Sequence, residues 1–215
     1  MKPYLVKTPK FVKWCFPKRI WGFPKPSNEV YLTFDDGPIP EVTPWVLSEL
    51  QKYDAKATFF CIGDNVKKHP GVFQQVQAEG HSLGNHTFNH LNGWKTNTKD
   101  YIENVTLAET VLQDFNNPKI QPSKKLFRPP YGKLKSSQAK LLEKKGYKIV
   151  MWDVLSADFD QTISEGQCLQ NVLRNIRPGS IVVFHDSLKA EKNLRFSLPR
   201  LLEWLDEKGF STKTL

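Results

Sequence analysis

Short apolar runs alternate with amphipathic stretches along most of this chain, and the alternation predicts strands and helices in turn. Runs rich in β-branched and aromatic residues predict seven strands, which are Glu29–Phe34, Lys56–Ile62, His81–Asn85, Lys125–Arg128, Lys148–Asp153, Ser180–Phe184 and Phe210–Lys213. Apolar residues at helical spacing predict six intervening helices, which are Glu41–Lys52, Gly71–Glu79, Thr98–Asn116, Ser137–Lys145, Glu165–Ile176 and Leu198–Lys208. Such alternation favours a parallel sheet, arranged either as a barrel or as a doubly wound sheet. Seven strands fit a distorted or incomplete (β/α) barrel in a single α/β domain that spans residues 28–215.

Residues 1–27 have a different pattern and predict an N-terminal arm. Seven of the 15 prolines lie among the first 40 residues, so the arm is expected to be extended or turn-rich rather than helical. The arm carries seven lysines and arginines and no acidic residue, while the whole chain has a net charge of +9. Two interpretations stay open: its aromatic residues pack on the domain while its lysines remain solvated, or the arm weakly contacts an anionic polymer or a membrane surface.

Composition narrows the class of protein. A chain of 215 residues with 39% apolar and 25% charged residues is typical of one soluble globular domain, which we expect to be a monomer. No apolar run is long enough to cross a bilayer, and no secretory signal is recognisable. Three cysteines without a CxxC pair predict reduced thiols. These features favour a cytoplasmic location, with export of a trimmed precursor as the alternative. Nucleic acid is not expected as a partner, because the chain beyond the arm is nearly neutral and contains no known binding module.

Two polar clusters follow predicted strands and could together hold a metal. Asp35 and Asp36 end the first strand, and His86 and His90 follow the third at a spacing of four residues. Three protein ligands with open positions are typical of a catalytic zinc site, so Asp36 and the two histidines form a candidate ligand set. Asp35 would then be free to act as a base. Each cluster also has an ordinary interpretation, since Asp-Asp-Gly commonly marks a surface turn and isolated histidine pairs are common on surfaces.

Other polar residues stand at or just beyond the ends of later strands. Arg128, Asp158 and His185 have this placement. The carboxyl ends of parallel strands gather on one face of a barrel, so residues distant in sequence are expected to converge there. An imidazole can titrate near neutral pH and suits a general acid, although His185 could equally be a satisfied core histidine.

Five motifs in this order resemble the polysaccharide deacetylase family, also called the NodB-homology or carbohydrate esterase 4 family. They are TFDDGP from Thr33, HTFNH from His86, RPPYG from Arg128, WDVLSAD from Trp152 and VVFHD from Val182. The resemblance covers nearly the whole chain beyond the arm. It implies a hydrolase that removes N-acetyl groups from glycans containing N-acetylglucosamine, such as peptidoglycan or chitin-like oligosaccharides, and releases acetate. The alternatives are an O-acetyl xylan esterase with the same site, or an inactive carbohydrate-binding domain.

The resemblance also implies a role for each matching residue. Asp35 resembles the catalytic base, held by Arg128, and His185 resembles the general acid, oriented by Asp158. Asp36, His86 and His90 resemble the ligands of a divalent metal, most often zinc, with cobalt, manganese or nickel as alternatives. The backbone amide of Tyr131 would help to bind the oxyanion.

The fourth motif departs from the family pattern in ways that bear on the substrate. The family often has Asp-Ser-x-Asp-Trp there, whereas this chain has Leu155 and Phe159 at the first and last of these positions. Phe159 keeps an apolar wall but lacks the indole N–H donor. Trp94, Phe159 and Pro130 are the candidate contacts for the sugar.

Overall fold

The structure is a computed structural model that describes residues 4–24, 28–116 and 124–215. The strands of the described part are β1 (Glu29–Asp35), β2 (Ala57–Cys61), β3 (Ser82–Asn85), β4 (Lys125–Phe127), β5 (Tyr147–Ile149), β6 (Val154–Leu155), β7 (Ile181–His185) and β8 (Ser211–Thr212). They form one parallel sheet in the order β5-β4-β3-β2-β1-β7-β6, with β8 paired to the start of β1. Seven parallel strands with surrounding helices make a half-barrel, which confirms the predicted fold class.

Helices connect the strands and cover the outer face of the sheet. They are α1 (Lys10–Cys15), α2 (Thr43–Gln51), α3 (Gly63–Lys68), α4 (Pro70–Ala78), α5 (Thr98–Asp114), α6 (Ser136–Lys144), α7 (Glu165–Leu173) and α8 (Glu191–Glu207). A short 3-10 turn, Pro130–Gly132, follows β4. Among these described helices, none has the length and apolar character needed to cross a membrane.

Several predicted boundaries were wrong. The segment predicted as a strand over Lys148–Asp153 ends at Ile149, and the separate strand β6 follows it. Helix α8 begins seven residues before the predicted Leu198. Helix α3 was not predicted because GDNVKK is short and mostly polar. Helix α1 contradicts the prediction of a non-helical arm, and it buries none of its residues.

The period-two pattern of the central strands sorts their side chains between two faces. In β1, Val30, Leu32 and Phe34 pack into the main core with side chains from the surrounding helices. The alternate residues, Thr33 and Asp35, therefore point to the inner face. In β7 the same alternation places His185 on that face, and His185 pairs in register with Asp35. The sheet thus brings an acidic residue and a histidine together at one end of the half-barrel.

The N-terminal arm packs along both edges of the open sheet. Ile20 accepts a hydrogen bond from Met151 N (2.7 Å) and donates one to Ile149 O (2.8 Å), next to β5. Val6 accepts one from Leu155 N in β6 (2.8 Å). Trp21 is buried. The arm therefore lies along the outer edges of β5 and β6, which together form the open seam of the half-barrel. A contact of the arm with an anionic polymer or membrane stays a prediction.

Candidate metal-dependent active site

The acidic pair lies at the end of β1, where the chain turns sharply. Asp35 is the last residue of the strand and is buried, whereas Asp36 adopts a left-handed backbone conformation with φ of 83°. Behind this turn, the Asp186 carboxylate accepts hydrogen bonds from Gly37 N (3.0 Å) and Thr43 Oγ1 (2.6 Å). The reversal in backbone direction gives the two neighbouring carboxylates different surroundings.

His86 and His90 converge through an irregular loop and not through a helical turn. Thr87 and His90 have positive φ values of 68° and 55°, so the segment is not a helix. The Asn104 side chain, from α5, accepts hydrogen bonds from Phe88 N and Asn89 N and fixes the loop. The two imidazole rings consequently lie with their centroids 5.1 Å apart.

Asp36, His86 and His90 offer three ligand atoms to a single point. One ligand atom from each lies within 4.8 Å of the others. The Nε2 atoms of His90 and His86 lie 3.2 Å and 3.7 Å from Asp36 Oδ1. Within the described part of the chain, this buried oxygen has no hydrogen bond that satisfies it. A buried, unsatisfied carboxylate oxygen beside two imidazole nitrogens fits a divalent metal such as zinc, which binds nitrogen and oxygen ligands of this kind.

The hydrogen bond of His86 fixes its tautomer in favour of this arrangement. His86 Nδ1 lies 2.8 Å from the carbonyl oxygen of Arg128. Because a carbonyl can only accept, Nδ1 carries the proton and Nε2 of the neutral ring presents its lone pair to the site. Burial, offset in part by the charge of Asp35, lowers the pKa of His86 to about 4, so the ring is neutral at pH 7.

Arg128 is fully buried and holds Asp35. Its Nη1 donates to Asp35 Oδ1 and to Thr33 Oγ1, each at 2.7 Å, and its Nη2 donates to Met151 O at 2.9 Å. The guanidinium also stacks over the Phe60 ring at 4.1 Å. These contacts fix one oxygen of Asp35 and offset its charge inside the barrel.

His185 and Asp158 form a second charged pair across the site. His185 Nδ1 lies 2.7 Å from Asp158 Oδ1, and the His185 backbone N–H donates to Asp158 Oδ2 at 2.7 Å. Burial alone would lower the pKa of His185, but the charge of Asp158 and its hydrogen bond, with Asp36 and Asp35 nearby, raise it to about 9. The imidazole is therefore protonated at pH 7 and can donate a proton.

The three candidate sugar contacts differ in how much of each residue is exposed. Trp94 is 61% exposed, and Lys133 Nζ lies 5.4 Å from its ring centroid. Phe159 is half-buried and meets the His185 ring edge-on, with centroids 5.1 Å apart. Pro130 is buried and offers little surface.

Three residues that support the site were not predicted from the sequence, and they are Thr33, Asn104 and Asp186. Two of them had a visible signal, because Thr33 opens the TFDDGP motif and Asp186 follows His185 inside the VVFHD motif. Thr33 and Asn104 are ordinary polar residues in a strand and a helix. Their partners are 95 and 15 or 16 residues away, so only the folded chain reveals them.

Comparisons with known proteins bear on the family of this chain. Residues 23–150 match the sequence profile of the family described as polysaccharide deacetylase. A peptidoglycan-N-acetylglucosamine deacetylase of Bacillus cereus is 37% identical over 79% of this chain and 61% of its own length. A chitooligosaccharide deacetylase of Azorhizobium caulinodans is 35% identical over 74% of each chain.

Solved structures show the same fold. The crystal structure of the Bc1960 peptidoglycan N-acetylglucosamine deacetylase is 32% identical, with a TM-score of 0.86 over 97% of this chain and 95% of that one. BA3943 of Bacillus anthracis, a pseudoenzyme of carbohydrate esterase family 4, has a TM-score of 0.80 at 26% identity over 92% of this chain and 67% of that one. The fold is thus shared by active and inactive relatives.

This chain belongs to the polysaccharide deacetylase (NodB-homology, carbohydrate esterase 4) family, a class of hydrolases. It spans 61% of the length of the Bacillus cereus relative. Since the fold alone does not separate active members from inactive ones, activity depends on the residues of the site.

Proposed function

We propose that the protein is a metal-dependent deacetylase that removes N-acetyl groups from glycans containing N-acetylglucosamine and releases acetate. The observation that carries the proposal is the convergence of Asp36, His86 and His90 beside Asp35. Asp35 would stay outside this ligand set and act as the base. The names of two relatives, a peptidoglycan-N-acetylglucosamine deacetylase and a chitooligosaccharide deacetylase, support the substrate class.

Asp36, His86 and His90 would hold the metal, for which zinc is the best candidate. When bound, a divalent metal would supply Lewis acidity to the acetyl carbonyl and lower the pKa of a nearby water. The donor set of one carboxylate and two imidazoles matches zinc preferences, and cobalt, manganese or nickel could replace it in the same ligands.

The remaining residues supply proton transfer and charge stabilisation. Asp35 would accept the proton of the attacking water, while Arg128 keeps its carboxylate in place. The Tyr131 backbone amide would donate a hydrogen bond to the oxygen that becomes negative. His185, held by Asp158, would protonate the nitrogen of the departing amine as the C–N bond breaks. Base and acid would thus act from neighbouring strands.

Substrate contacts would come from the rim of the site. Trp94 exposes a face on which a sugar ring can stack, and Phe159 forms an apolar wall beside His185. We keep Pro130 as a weaker candidate, because its burial leaves only a small surface for contact.

Acetate release tests the proposal directly. We expect the zinc-supplemented protein to release acetate from N-acetylglucosamine oligomers or peptidoglycan strands, and a strong chelator to abolish the reaction until metal is restored. Acetylated xylan in the same assay separates the esterase alternative, which would release acetate from xylan alone. No release from any of these substrates, by folded protein with zinc bound, would indicate an inactive domain and contradict the proposal.

The substitution Asp35→Asn tests the assigned base. It should lower kcat by roughly 100-fold or more, because general base catalysis typically contributes that much. Zinc binding should persist, since Asp35 is not in the proposed ligand set. Asp54→Asn is the matched control, because Asp54 has a 96% exposed side chain and lies outside the site.

A further inference from the structure

The turn that follows β4 contacts three of the proposed site residues at once. The Arg128 side chain holds Asp35, and the Arg128 carbonyl accepts from His86 Nδ1. Three residues later, the Tyr131 hydroxyl lies 3.1 Å from His90 Nδ1. The two histidines proposed as metal ligands, His86 and His90, therefore each have a hydrogen-bond partner for Nδ1 in the same short segment.

The backbone of the turn determines where the Tyr131 ring lies. Tyr131 has a left-handed conformation with φ of 59°, and Gly132 follows with φ of 67°. A Cβ atom on Gly132 would lie 2.7 Å from Trp152 Cη2, so the turn packs closely on that ring. Hydrogen bonds from Gly132 N to Pro129 O (3.0 Å) and from Lys133 N to Pro130 O (3.1 Å) close the turn.

Burial does not explain the position of this side chain. Tyr131 is 60% exposed, yet its ring packs edge-on against His90 with centroids 4.6 Å apart. A tyrosine that is this exposed contributes little to the core, even though its hydroxyl contacts a ring nitrogen of the site. Removing the hydroxyl alone should therefore leave the fold intact.

The Tyr131 hydroxyl can accept a hydrogen bond from His90 Nδ1, which would leave His90 Nε2 available as a ligand. On the inner side of the ring, His90 Nε2 faces Asp36 Oδ1 at 3.2 Å. For Nε2 to offer its lone pair to a metal, the proton of the neutral ring must be on Nδ1, and that N–H needs an acceptor. A phenolic oxygen can accept this hydrogen bond, as the Arg128 carbonyl does for His86.

We propose that the Tyr131 side chain is a positioning residue for the metal site, because its hydroxyl accepts from His90 Nδ1–H and holds Nε2 toward Asp36. This role is separate from that of the Tyr131 backbone amide, and it rests on the metal site of the proposed function. The phenol of Tyr131 and the carbonyl of Arg128 thus fix the tautomers of the two histidines from one turn.

The test compares Tyr131→Phe with the wild-type chain. Phenylalanine keeps the ring and removes only the hydroxyl. Zinc affinity, measured by competition with a chromogenic chelator, should weaken about 10-fold or more, the usual cost of losing an outer partner of a ligand. Tyr53→Phe is the control, since Tyr53 is an exposed tyrosine outside the site and its variant should bind zinc as the wild type does.

A second measurement reports the tautomer without any glycan. Long-range ¹H–¹⁵N spectra of the zinc-bound wild type should show His90 with its proton on Nδ1, and this signal should broaden or shift in Tyr131→Phe. Equal melting temperatures would establish that both variants fold. Unchanged zinc affinity together with unchanged His90 nitrogen shifts would overturn the inference. A wild-type protein that binds zinc but releases no acetate would contradict the proposed function and leave this inference standing.

Discussion

At the scale of single residues, hydrogen-bond partners decide which atom of each polar side chain faces the site. Arg128 donates to one oxygen of Asp35, and its carbonyl accepts from His86 Nδ1. Asp158 binds both the ring and the backbone of His185. These partners would orient the proposed acid, base and ligands before any substrate arrives.

The motifs indicated which of these residues to consider, but not how they are held. Asp35, Asp36 and His185 were recognisable because they lie at the ends of predicted strands and inside motifs that resemble the family pattern. The contact of Asp186 with Gly37 joins residues 149 positions apart, and the Tyr131 hydroxyl on His90 depends on a left-handed backbone. Such contacts follow from the packing of the whole barrel and leave no local pattern.

The pair of His185 and Asp158 predicts how activity depends on pH. The pKa of His185 is raised to about 9, so kcat/KM should fall on the alkaline side as the imidazolium loses its proton. Asp158→Asn removes the main charge that stabilises the His185 imidazolium. The alkaline fall of kcat/KM should therefore move to lower pH in this variant. A bound metal would lower the pKa of His185 in both proteins, so both are assayed with zinc.

Stability gives an independent test of the same pair. A raised pKa stabilises the folded state most fully below the ordinary value of 6.5, and this contribution is lost as the pH rises through about 9. The difference in free energy of unfolding between wild type and Asp158→Asn should therefore narrow over that range. An alkaline limb that stays in place in the variant would contradict the assignment of His185 as the acid.

At the scale of elements, the loops after β1, β3, β4 and β6 and the end of β7 carry the residues of the candidate site, while the strands fix their spacing. The strand pattern was predictable because the central strands are runs rich in β-branched and aromatic residues. Short elements were not: β6 has two residues, α3 has six mostly polar ones, and α1 buries no side chain. The start of α8 was missed because its first turns mix charged and apolar residues, although Leu194 continues the buried stripe.

The loop after β1 gives a prediction at this scale. A Cβ atom on Gly37 would overlap Asp186 Oδ2, so Gly37→Ala must displace the buried carboxylate or the turn that carries Asp36. Overpacking of this kind typically costs about 1–3 kcal/mol of stability. We also expect a loss of zinc affinity, measured by chelator competition, since Asp36 is a proposed ligand.

Gly71→Ala is the matched control for this loop. Gly71 lies in helix α4, and a methyl group placed on its Cα would meet nothing within 4 Å beyond its chain neighbours and the helix backbone, so alanine should be neutral or slightly stabilising there. If Gly37→Ala binds zinc and resists denaturant as well as Gly71→Ala does, Asp186 does not fix the position of the β1 loop.

At the scale of the whole molecule, the N-terminal arm takes part in the barrel that it precedes in sequence. Its hydrogen bonds reach the chain near β5 and β6, the two edges of the sheet. Met151 links the arm to the site, because its N–H donates to Ile20 O and its carbonyl accepts from Arg128. Composition could describe the arm as basic and aromatic, but only the open seam of the half-barrel explains where it lies.

Two lysines of the arm make ion pairs with the domain, and this structural role is distinct from any role in binding a partner. Lys7 and Lys13 both pair with Asp153, which is buried and also accepts from Ser180 Oγ at 2.6 Å. These pairs lower the pKa of Asp153 against the effect of burial, which alone would raise it. The lysine side chains are 37% and 30% exposed, so solvent screens part of each interaction.

We therefore predict that the double substitution Lys7→Gln with Lys13→Gln destabilises the protein by about 1–2 kcal/mol, because it leaves the Asp153 charge buried without a cation. The urea midpoint measures this loss. Lys10→Gln with Lys18→Gln is the matched control, since it removes the same charge from two exposed lysines of the arm and should leave the midpoint in place. Equal midpoints for the two double variants would show that the Asp153 pairs do not anchor the arm.

The same two variants isolate the surface role of the arm when their binding to an anionic glycan is measured. The control pair keeps both contacts to Asp153, so any change in its binding reflects the lost surface charge and not a loosened arm. If the arm attracts such polymers by charge, the control pair should bind more weakly than the wild type, and added salt should reduce the difference, because salt screens exposed charges. Binding equal to that of the wild type at low salt would leave the arm with its structural role at the seam of the half-barrel.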